Sequence, residues 1–365
     1  KMKKYDKALY RITIIQQRLF EGYTLDKLEL ANEFNVSEKT IQRDINERLN
    51  SLQIVHVKGI GFKLDDEYID NHKAQFYATQ AKEILNETQL MLNITKAQEA
   101  IENADAILIS AGAGIGVDSG LPDFRGNDGF WNAYPPMKKL GLNFADIANP
   151  KWFSVKPELA WGFYGHRLML YRNTIPHEGF DILKKLANYK NNNYFIFTSN
   201  VDGQFQKAGF DCDKIIECHG SIHFNQCINN CTNNVWTNSE STFDVDISTF
   251  TVDKSQMPYC PHCGNLARPN IMMFGDYSYN PSRYHEQNKK FNQWLIHNIN
   301  SKAKIVVIEI GAGKHIPTVR RLSEEISKQY GATLIRINPR DYDVPQSQIS
   351  LSLGGLEGLQ TIFNY

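Results

Sequence analysis

Residues 106–126 read AILISAGAGIGVDSGLPDFRG, a short apolar run that leads into a cluster of small residues. The run 106–110 is rich in branched aliphatic side chains and predicts a buried parallel strand. Gly112, Gly114 and Gly116 follow, and glycines at such a point allow a sharp turn and a close approach to a ligand. Strand, glycine loop and helix together suggest a dinucleotide site, with the pyrophosphate on backbone N–H groups. The loop departs from GxGxxG, and by itself it also fits a plain tight turn.

The chain beyond this stretch alternates between the two periodicities of strands and helices. Strands are predicted at 106–110, 194–200, 213–220, 304–311 and 332–338, and helices at 179–189, 291–303 and 317–331. This alternation predicts an α/β fold with a doubly wound, Rossmann-like parallel sheet. Ligands of such sheets bind beyond the carboxyl ends of the strands, where SNVD, HG, the second GAG and Asn338 fall.

The motifs along residues 95–365 resemble, in order, the signatures of the sirtuins, the NAD-dependent protein deacylases. GAGIGVDSGLPDFRG is followed by SNVDG (199–203), HGS (219–221), two cysteine pairs, ARPNIMMFGD (267–276) and LIRIN (334–338). Three positions depart from the family pattern. Gly116 stands where serine is usual, Ser199 where glutamine is usual, and Gly313 lacks the usual hydroxyl. These changes remove hydrogen bonds to ribose or phosphate and bear on cofactor affinity and acyl preference.

The resemblance implies an NAD site built mainly from strand ends. His219 would be the catalytic base, because a histidine can take a proton from a ribose hydroxyl near neutral pH. Asn200 and Asp202 would complete the catalytic set by gripping the nicotinamide carboxamide and the ribose side. Phe124 would shield the reactive sugar carbon from water. The implied cofactor-binding residues are Gly112, Ala113, Gly114, Asp118, Asp123, Phe124, Arg125, Ser199, Asn200, Asp202, Gly311, Ala312, Gly313 and Asn338.

The segment ARPNIMMFGD is implied to line the channel for the acyl-lysine substrate. Met272, Met273, Phe274 and Gly275 would bind the substrate, and the target peptide would pair with this edge as a strand. A buried strand is the alternative interpretation of the methionines, and both interpretations can hold together.

Four of the six cysteines form two pairs, Cys227 with Cys231 and Cys260 with Cys263. Two thiolate pairs separated by a polar insertion predict a tetrahedral structural zinc site within a small module at about 222–270. Because four ligands leave no open position, the Zn²⁺ is expected to take no part in the chemistry.

Residues 1–66 predict a separate domain of three helices and a hairpin. Thr24 is expected to cap the second helix and Ser37 a third helix at 38–52, followed by a hairpin at 54–65. The segment VSEKTIQRDINERL resembles a winged helix-turn-helix domain of the DeoR type. The resemblance places Lys39, Thr40, Gln42 and Arg43 toward a DNA groove, with Lys58 and Lys63 as wing contacts to phosphate. A dimerisation or protein-docking module is the alternative.

The predicted organisation is a winged helix-turn-helix domain at 1–66, a helical connector at 67–94 and a sirtuin domain at 95–365, whose first helix is capped by Thr95. Net charge is zero and no apolar run approaches the roughly 18 residues of a membrane span, so we expect a cytoplasmic protein. The sequence predicts an NAD-dependent protein-lysine deacylase, which the N-terminal domain could target to DNA or to a partner. An ADP-ribosyltransferase or NAD glycohydrolase, and an NAD-sensing DNA-binding regulator, remain the alternatives.

Overall fold

The computed structural model describes residues 4–122 and 126–363, and the backbone alone for 4–6 and 126–128. The chain divides into two compact units, Lys1–Gln89 and Leu90–Tyr365. Within the described residues, no helix is both long enough and apolar enough to cross a membrane. The predicted cofactor residues Asp123, Phe124 and Arg125 lie outside the described residues.

The first unit contains three short helices and an antiparallel hairpin. Its elements are α1 (Lys4–Phe20), α2 (Lys27–Glu33), α3 (Glu38–Arg43), β1 (Ile54–Val57) and β2 (Gly61–Leu64). Ser37 caps α3 as predicted, because its side chain accepts a hydrogen bond from the Thr40 N–H. Ile15, Ile41 and Phe62 are fully buried and join the helices to the hairpin in one apolar core.

Two helix boundaries in this unit differ from the prediction. Asp26, and not Thr24, caps α2, because its carboxylate accepts from two N–H groups of the first turn. The predicted helix at 38–52 changes to a π-helical turn at Asp44–Arg48. The Asp44 side chain is completely buried there, and its Oδ2 and Oδ1 atoms lie 2.7 Å from Arg11 Nε and Arg48 Nη1, respectively. These two ion pairs coincide with the change from α-helix to π-helix.

A single helix, α4 (Asp66–Glu102), runs through both the predicted helical connector and the separate helix predicted after it. The expectation that Thr95 begins a new helix was wrong. Thr95 lies inside α4, and its hydroxyl donates to the carbonyl of Met91 (3.2 Å), four residues earlier. This bond satisfies the threonine hydroxyl without ending the helix.

The second unit is built on a six-stranded parallel sheet with the order β11-β10-β9-β3-β4-β5. The strands are β3 (Ala106–Ala111), β4 (Tyr194–Thr198), β5 (Ile215–Glu217), β9 (Ile305–Ile310), β10 (Thr333–Ile337) and β11 (Ile349–Leu351). All residues of β3 and β9 are buried, as their mainly aliphatic sequences predict for a sheet covered on both faces, and the buried set includes Ser110 and Glu309.

Helices cover both faces of this sheet. The second half of α4, with α10 (Glu178–Tyr189) and α14 (Gly355–Phe363), packs on the face of Ile107 and Ile109. The opposite face, with Leu108, is covered by α12 (Ser282–Asn300) and α13 (Thr318–Tyr330). The predicted doubly wound α/β fold is confirmed.

A second, antiparallel sheet has the order β7-β6-β8. Its strands are β6 (Gly220–Cys227), β7 (Trp236–Thr237) and β8 (Ala267–Ile271). An aromatic core around Trp161 and Phe163 joins β6 and β8 to a group of helices. These helices are α5 (Gly126–Ala133), α6 (Pro135–Lys139), α7 (Phe144–Ile147), α8 (Trp152–Val155) and α9 (Pro157–Asn173), and the short α11 (Gln204–Lys207) follows β4.

Candidate active site and metal centre

The loops that follow β3 and β9 contact each other through their backbones. The N–H of Gly114 donates to the carbonyl of Gly311 (3.0 Å). A Cβ on Gly112 would lie 2.7 Å from the Cα of Ala312, and a Cβ on Gly311, whose φ is +63°, would lie 2.4 Å from the N of Ile115. Packing between the two loops therefore requires glycine at 112 and at 311. This backbone contact between the loops was not predicted from the sequence.

His177 fixes the glycine loop from the start of α10. The Gly179 N–H donates to its Nδ1 (3.0 Å), so Nε2 carries the proton and donates to the carbonyl of Ile115 (2.8 Å). Asp118, a predicted cofactor residue, accepts a hydrogen bond from the N–H of Leu356 at the start of α14 (2.9 Å). The contact that the structure gives Asp118 is thus structural, and its role toward the cofactor stays a prediction.

Asn200 and Asp202 lie in the loop after β4, and both are more than nine-tenths buried. The Asn200 amide donates to the carbonyl of Gly112 (3.1 Å), which joins this loop to the glycine loop after β3. The Asp202 carboxylate accepts from the Gln204 N–H (2.9 Å), and burial raises its pKa to about 6. Asp202 therefore titrates close to neutral pH, and its protonated form can donate a hydrogen bond to a ligand.

His219 follows β5 and lies half-buried beside the same loop. Burial lowers its pKa, while a hydrogen bond to the backbone of Ser199 opposes this by favouring the charged ring. Its Nε2 lies 3.3 Å from the hydroxyl of Thr318, the first residue of α13. Thr318 was not among the predicted site residues, because the only signal in the sequence is its position shortly after the Gly311 loop.

Two further predicted cofactor residues lie in the loops after β9 and β10. The Asn338 amide is engaged at both ends, because Nδ2 donates to the Ala312 carbonyl (3.0 Å) and Oδ1 accepts from the N–H groups of Arg340 and Asp341. Asn338 thus connects the loops after β9 and β10. A Cβ on Gly313 would meet only Asp341 Oδ2, at 3.6 Å, so this position has room for a side chain.

The predicted substrate residues directly follow β8, next to His219. The N–H of Met272 donates to the carbonyl of His219 (2.9 Å). Met272 and Phe274 are 47% and 41% exposed, whereas Met273 is 6% exposed. The exposed pair is accessible to a peptide, while Met273 fits the alternative of a core residue. Gly275 has a φ of +65°, so the chain turns there in a conformation that favours glycine.

A buried ion pair joins the two ends of the segment 268–276, which contains the predicted substrate residues. Arg268 and Asp276 are fully buried, and Nη1 donates to Oδ2 at 2.8 Å and Nη2 to Oδ1 at 2.9 Å. The Asp276 carboxylate also accepts from the Ser278 N–H (3.0 Å). This bidentate geometry fixes both ends of the 268–276 segment.

The four paired cysteines form a compact sulfur cluster. Their Sγ atoms all lie within 4.8 Å of one another, with Cys227 to Cys263 at 3.6 Å and Cys231 to Cys260 at 3.5 Å. A zinc tetrahedron with bonds of about 2.3 Å has edges of about 3.8 Å, so this donor set fits Zn²⁺. Three residues separate Cys227 from Cys231 and two separate Cys260 from Cys263, and this unequal spacing does not prevent the cluster. Of the remaining cysteines, Cys218 is buried, which raises its pKa to about 12.

The fold and these strand-end loops define a Sir2-type α/β protein. The sequence profile described as "Sir2 family" matches residues 112–298, and the chain belongs to this family. The NAD-dependent protein deacylase of Aquifex aeolicus is 28% identical over 270 residues, which cover 73% of this chain and 96% of that protein.

Two further similarities matter for function. A probable bifunctional ADP-ribose hydrolase/ADP-ribosyltransferase of Fusarium oxysporum f. sp. cubense is 27% identical over 241 residues, covering 64% of this chain and 40% of that protein. A solved complex of a mutant Sir2 homologue with ADP ribose is 26% identical, with a TM-score of 0.52, and the match covers 73% of this chain and 94% of that one.

Proposed function

We propose that this protein is an NAD-dependent protein-lysine deacylase that releases nicotinamide and O-acyl-ADP-ribose. The observation that carries the proposal is the placement of Asn200, Asp202 and His219 in the loops that follow β4 and β5, in a chain of the Sir2 family. The similarity to named deacylases along nearly their full length supports the same activity.

Each site residue has a role that its environment supports. Asn200 and Asp202 would bind the nicotinamide side of NAD, since both are buried polar groups in a loop next to Gly112. His219 would take the proton from a ribose hydroxyl, because burial lowers its pKa and so favours the neutral ring that can act as a base. NAD would supply the anomeric carbon that the acyl oxygen attacks, and the exposed Met272 and Phe274 would contact the acyl-lysine peptide.

We propose a structural role for Zn²⁺ in the module at about 222–270. The four thiolates would complete the coordination of the ion, which leaves no position for a substrate or water.

Nicotinamide release from NAD, measured with and without an acetyl-lysine peptide, tests the function. Release that requires the peptide, with O-acetyl-ADP-ribose among the products by mass, is the expected result. The variant His219→Ala should lose this turnover and still bind NAD. Peptide-independent release, or full activity of His219→Ala, would contradict the proposal.

A second candidate function is ADP-ribosyl transfer or NAD hydrolysis on the same scaffold. The similarity to the Fusarium protein favours it, as do the departures at Gly116 and Ser199, where serine and glutamine are usual in the family. ADP-ribose mass added to a protein, or ADP-ribose formed without peptide, would distinguish this activity from deacylation.

We propose that residues 1–66 form a winged helix-turn-helix domain that binds DNA. The connector 67–94 would join it to the sirtuin domain 95–365. Lys39, Thr40, Gln42 and Arg43 line an open groove of about 370 Å³ along α3, which supports the proposal. Gln42 is already bonded to Lys27 and Asn46, and Lys63 is paired with Asp66, so Lys39 and Arg43 are the stronger candidates for phosphate contacts.

Fluorescence anisotropy with duplex DNA at several salt concentrations tests DNA binding by the full chain. The double variant Lys39→Ala/Arg43→Ala should weaken binding and reduce the salt slope by about one per lost phosphate contact. The exposed Lys73→Ala on α4 is the matched control. Failure of the full chain to bind duplex DNA at low salt would contradict DNA binding and leave a protein-docking role for this unit. DNA binding whose strength changes with NAD, without turnover of NAD, would support an NAD-sensing regulator.

A further inference from the structure

The hydroxyl of Thr318 contacts Nε2 of His219, a ring nitrogen that could take the proton in the proposed reaction. Nε2 lies 3.3 Å from this hydroxyl, and the ring also hydrogen-bonds to the backbone of Ser199. The Ser199 bond favours the charged ring, so the backbone group involved is the carbonyl, which accepts from a ring N–H. A neutral imidazole has one N–H and one acceptor nitrogen. We assign the ring N–H to the Ser199 side, which makes Nε2 the acceptor and the Thr318 hydroxyl its donor.

We propose that Thr318 is a positioning residue that holds His219 in the neutral form with Nε2 unprotonated until a ribose hydroxyl takes the place of the Thr318 hydroxyl. This inference rests on the proposed role of His219 as base. It assigns Thr318 two effects, because the bond fixes the ring orientation and stabilises the neutral ring over the charged one. Thr318 lies at the beginning of α13, so the positive end of the helix dipole also disfavours a charged ring.

Several charged or titratable groups lie on the segments that carry or adjoin His219. They are Glu217 and Cys218 on its own segment, Asp202 after β4, Asp276 and Tyr279 after β8, and Lys314 and His315 before α13. Among the described residues, Glu217 pairs with Arg283, Asp276 with Arg268 and Lys314 with Asp343, and no ion pair includes His219.

The first test measures the pKa of His219 in the free full-length protein by NMR of ¹³C-labelled histidine rings. His219→Gln identifies the resonance by its loss. Thr318→Val keeps the shape of the side chain and the helix end and removes only the hydroxyl. Loss of one bond to the neutral ring should raise the titration midpoint by about half to one pH unit, a three- to tenfold change in the acid dissociation constant. Thr318→Ser should restore the wild-type midpoint, and the other histidines should not move.

The second test uses turnover. The kcat/KM for NAD reports the free enzyme, so its acidic limb should move to higher pH in Thr318→Val, with little change above about pH 8. The acidic limb of kcat should move less, because in the bound enzyme the ribose hydroxyl has replaced Thr318.

An unchanged or lowered His219 midpoint in Thr318→Val would overturn the proposal, as would a Thr318→Ser variant that behaves like valine. Thermal melting checks the fold, and Thr318→Ala provides a second hydroxyl-free variant if the valine protein is unstable. Because the NMR titration needs no turnover, a wild-type protein without deacylase activity would refute the proposed function while leaving the hydrogen bond testable.

Discussion

The parallel sheet of the Leu90–Tyr365 unit buries mainly aliphatic side chains, with the ion pair of Arg336 and Glu309 as an exception. The antiparallel sheet β7-β6-β8 buries a set of amide side chains together with a guanidinium group. Asn225, Gln226, Arg268 and Asn270 are each at most 1% exposed. The Gln226 amide oxygen accepts from the Asn270 side chain and from the N–H of Asn280, both at 3.0 Å.

This difference shows what each sheet needs to stay folded. An aliphatic strand loses stability in proportion to the apolar surface that a mutation removes. A buried polar sheet depends on each partner, because a lost bond leaves a buried polar group unsatisfied. The antiparallel sheet also depends on the sulfur cluster at its end, since Cys227 is the last residue of β6.

Removal of the metal should have the largest effect. Cys260→Ser, or strong chelation, should abolish zinc binding and unfold the module at about 222–270, while β3 and β9 keep their amide protection. Zinc content and hydrogen exchange measure the two outcomes. Cys212→Ser, which changes an exposed cysteine outside the cluster, is the control. Unchanged hydrogen exchange of the module in zinc-free protein would show that the antiparallel sheet does not depend on the metal.

The buried ion pair should rank second. Asp276→Asn leaves the Arg268 guanidinium buried with a neutral partner, and we expect a loss of about 3–5 kcal/mol in the free energy of unfolding. Glu158→Gln is the matched control, because its partner Lys254 is 76% exposed and such pairs contribute about 0–1 kcal/mol. Urea unfolding of both variants decides the point, and equal losses would show that burial does not matter here.

Asp202 extends the comparison to a buried carboxylate beside the aliphatic sheet. Its pKa is 3.8 when unperturbed and about 6 in the fold. The folded state therefore binds the proton more tightly, and the contribution of Asp202 to stability is present below about pH 4 and lost as pH rises through about 6. The difference in free energy of unfolding between Asp202→Asn and wild type should increase in favour of the variant by about 3 kcal/mol as the pH rises from about 4 to about 7. Denaturant unfolding against pH measures it, with the exposed Glu325→Gln as control. A pH-independent difference would contradict it.

The smallest expected effect is at the glycine loop. Gly112→Ala places a methyl group 2.7 Å from the Ala312 backbone, and overpacking of this kind costs about 1–3 kcal/mol. Gly354→Ala, where the nearest atom lies 3.9 Å from the added carbon, should be close to neutral. Thermal melting compares the two, and an equally mild Gly112→Ala would mean that the loops separate easily.

The sequence predicts the parallel sheet well because its evidence is local. Short runs of mainly aliphatic residues at β3, β9 and β10 identify buried strands without knowledge of their neighbours, although they do not show that Glu309 and Arg336 within them form a buried ion pair. The same reasoning failed at Thr95, since a threonine can cap a helix or bond to the preceding turn, and only the surrounding chain decides which.

The site was predictable as a set of strand ends, but the contacts between them were not. The Gly112–Ala312 approach, the His177–Ile115 bond and the Thr318–His219 bond join residues that are far apart in the chain. No spacing rule links such positions, and short motifs reveal which loops meet without revealing which atoms touch.

The backbone contact between the loops after β3 and β9 has a consequence for engineering. Libraries that vary the residues around Gly112 and those around Gly311 separately will each select for glycine, whatever ligand is used. New binding properties at this edge therefore require both loops to be redesigned together, as one element with two chain segments.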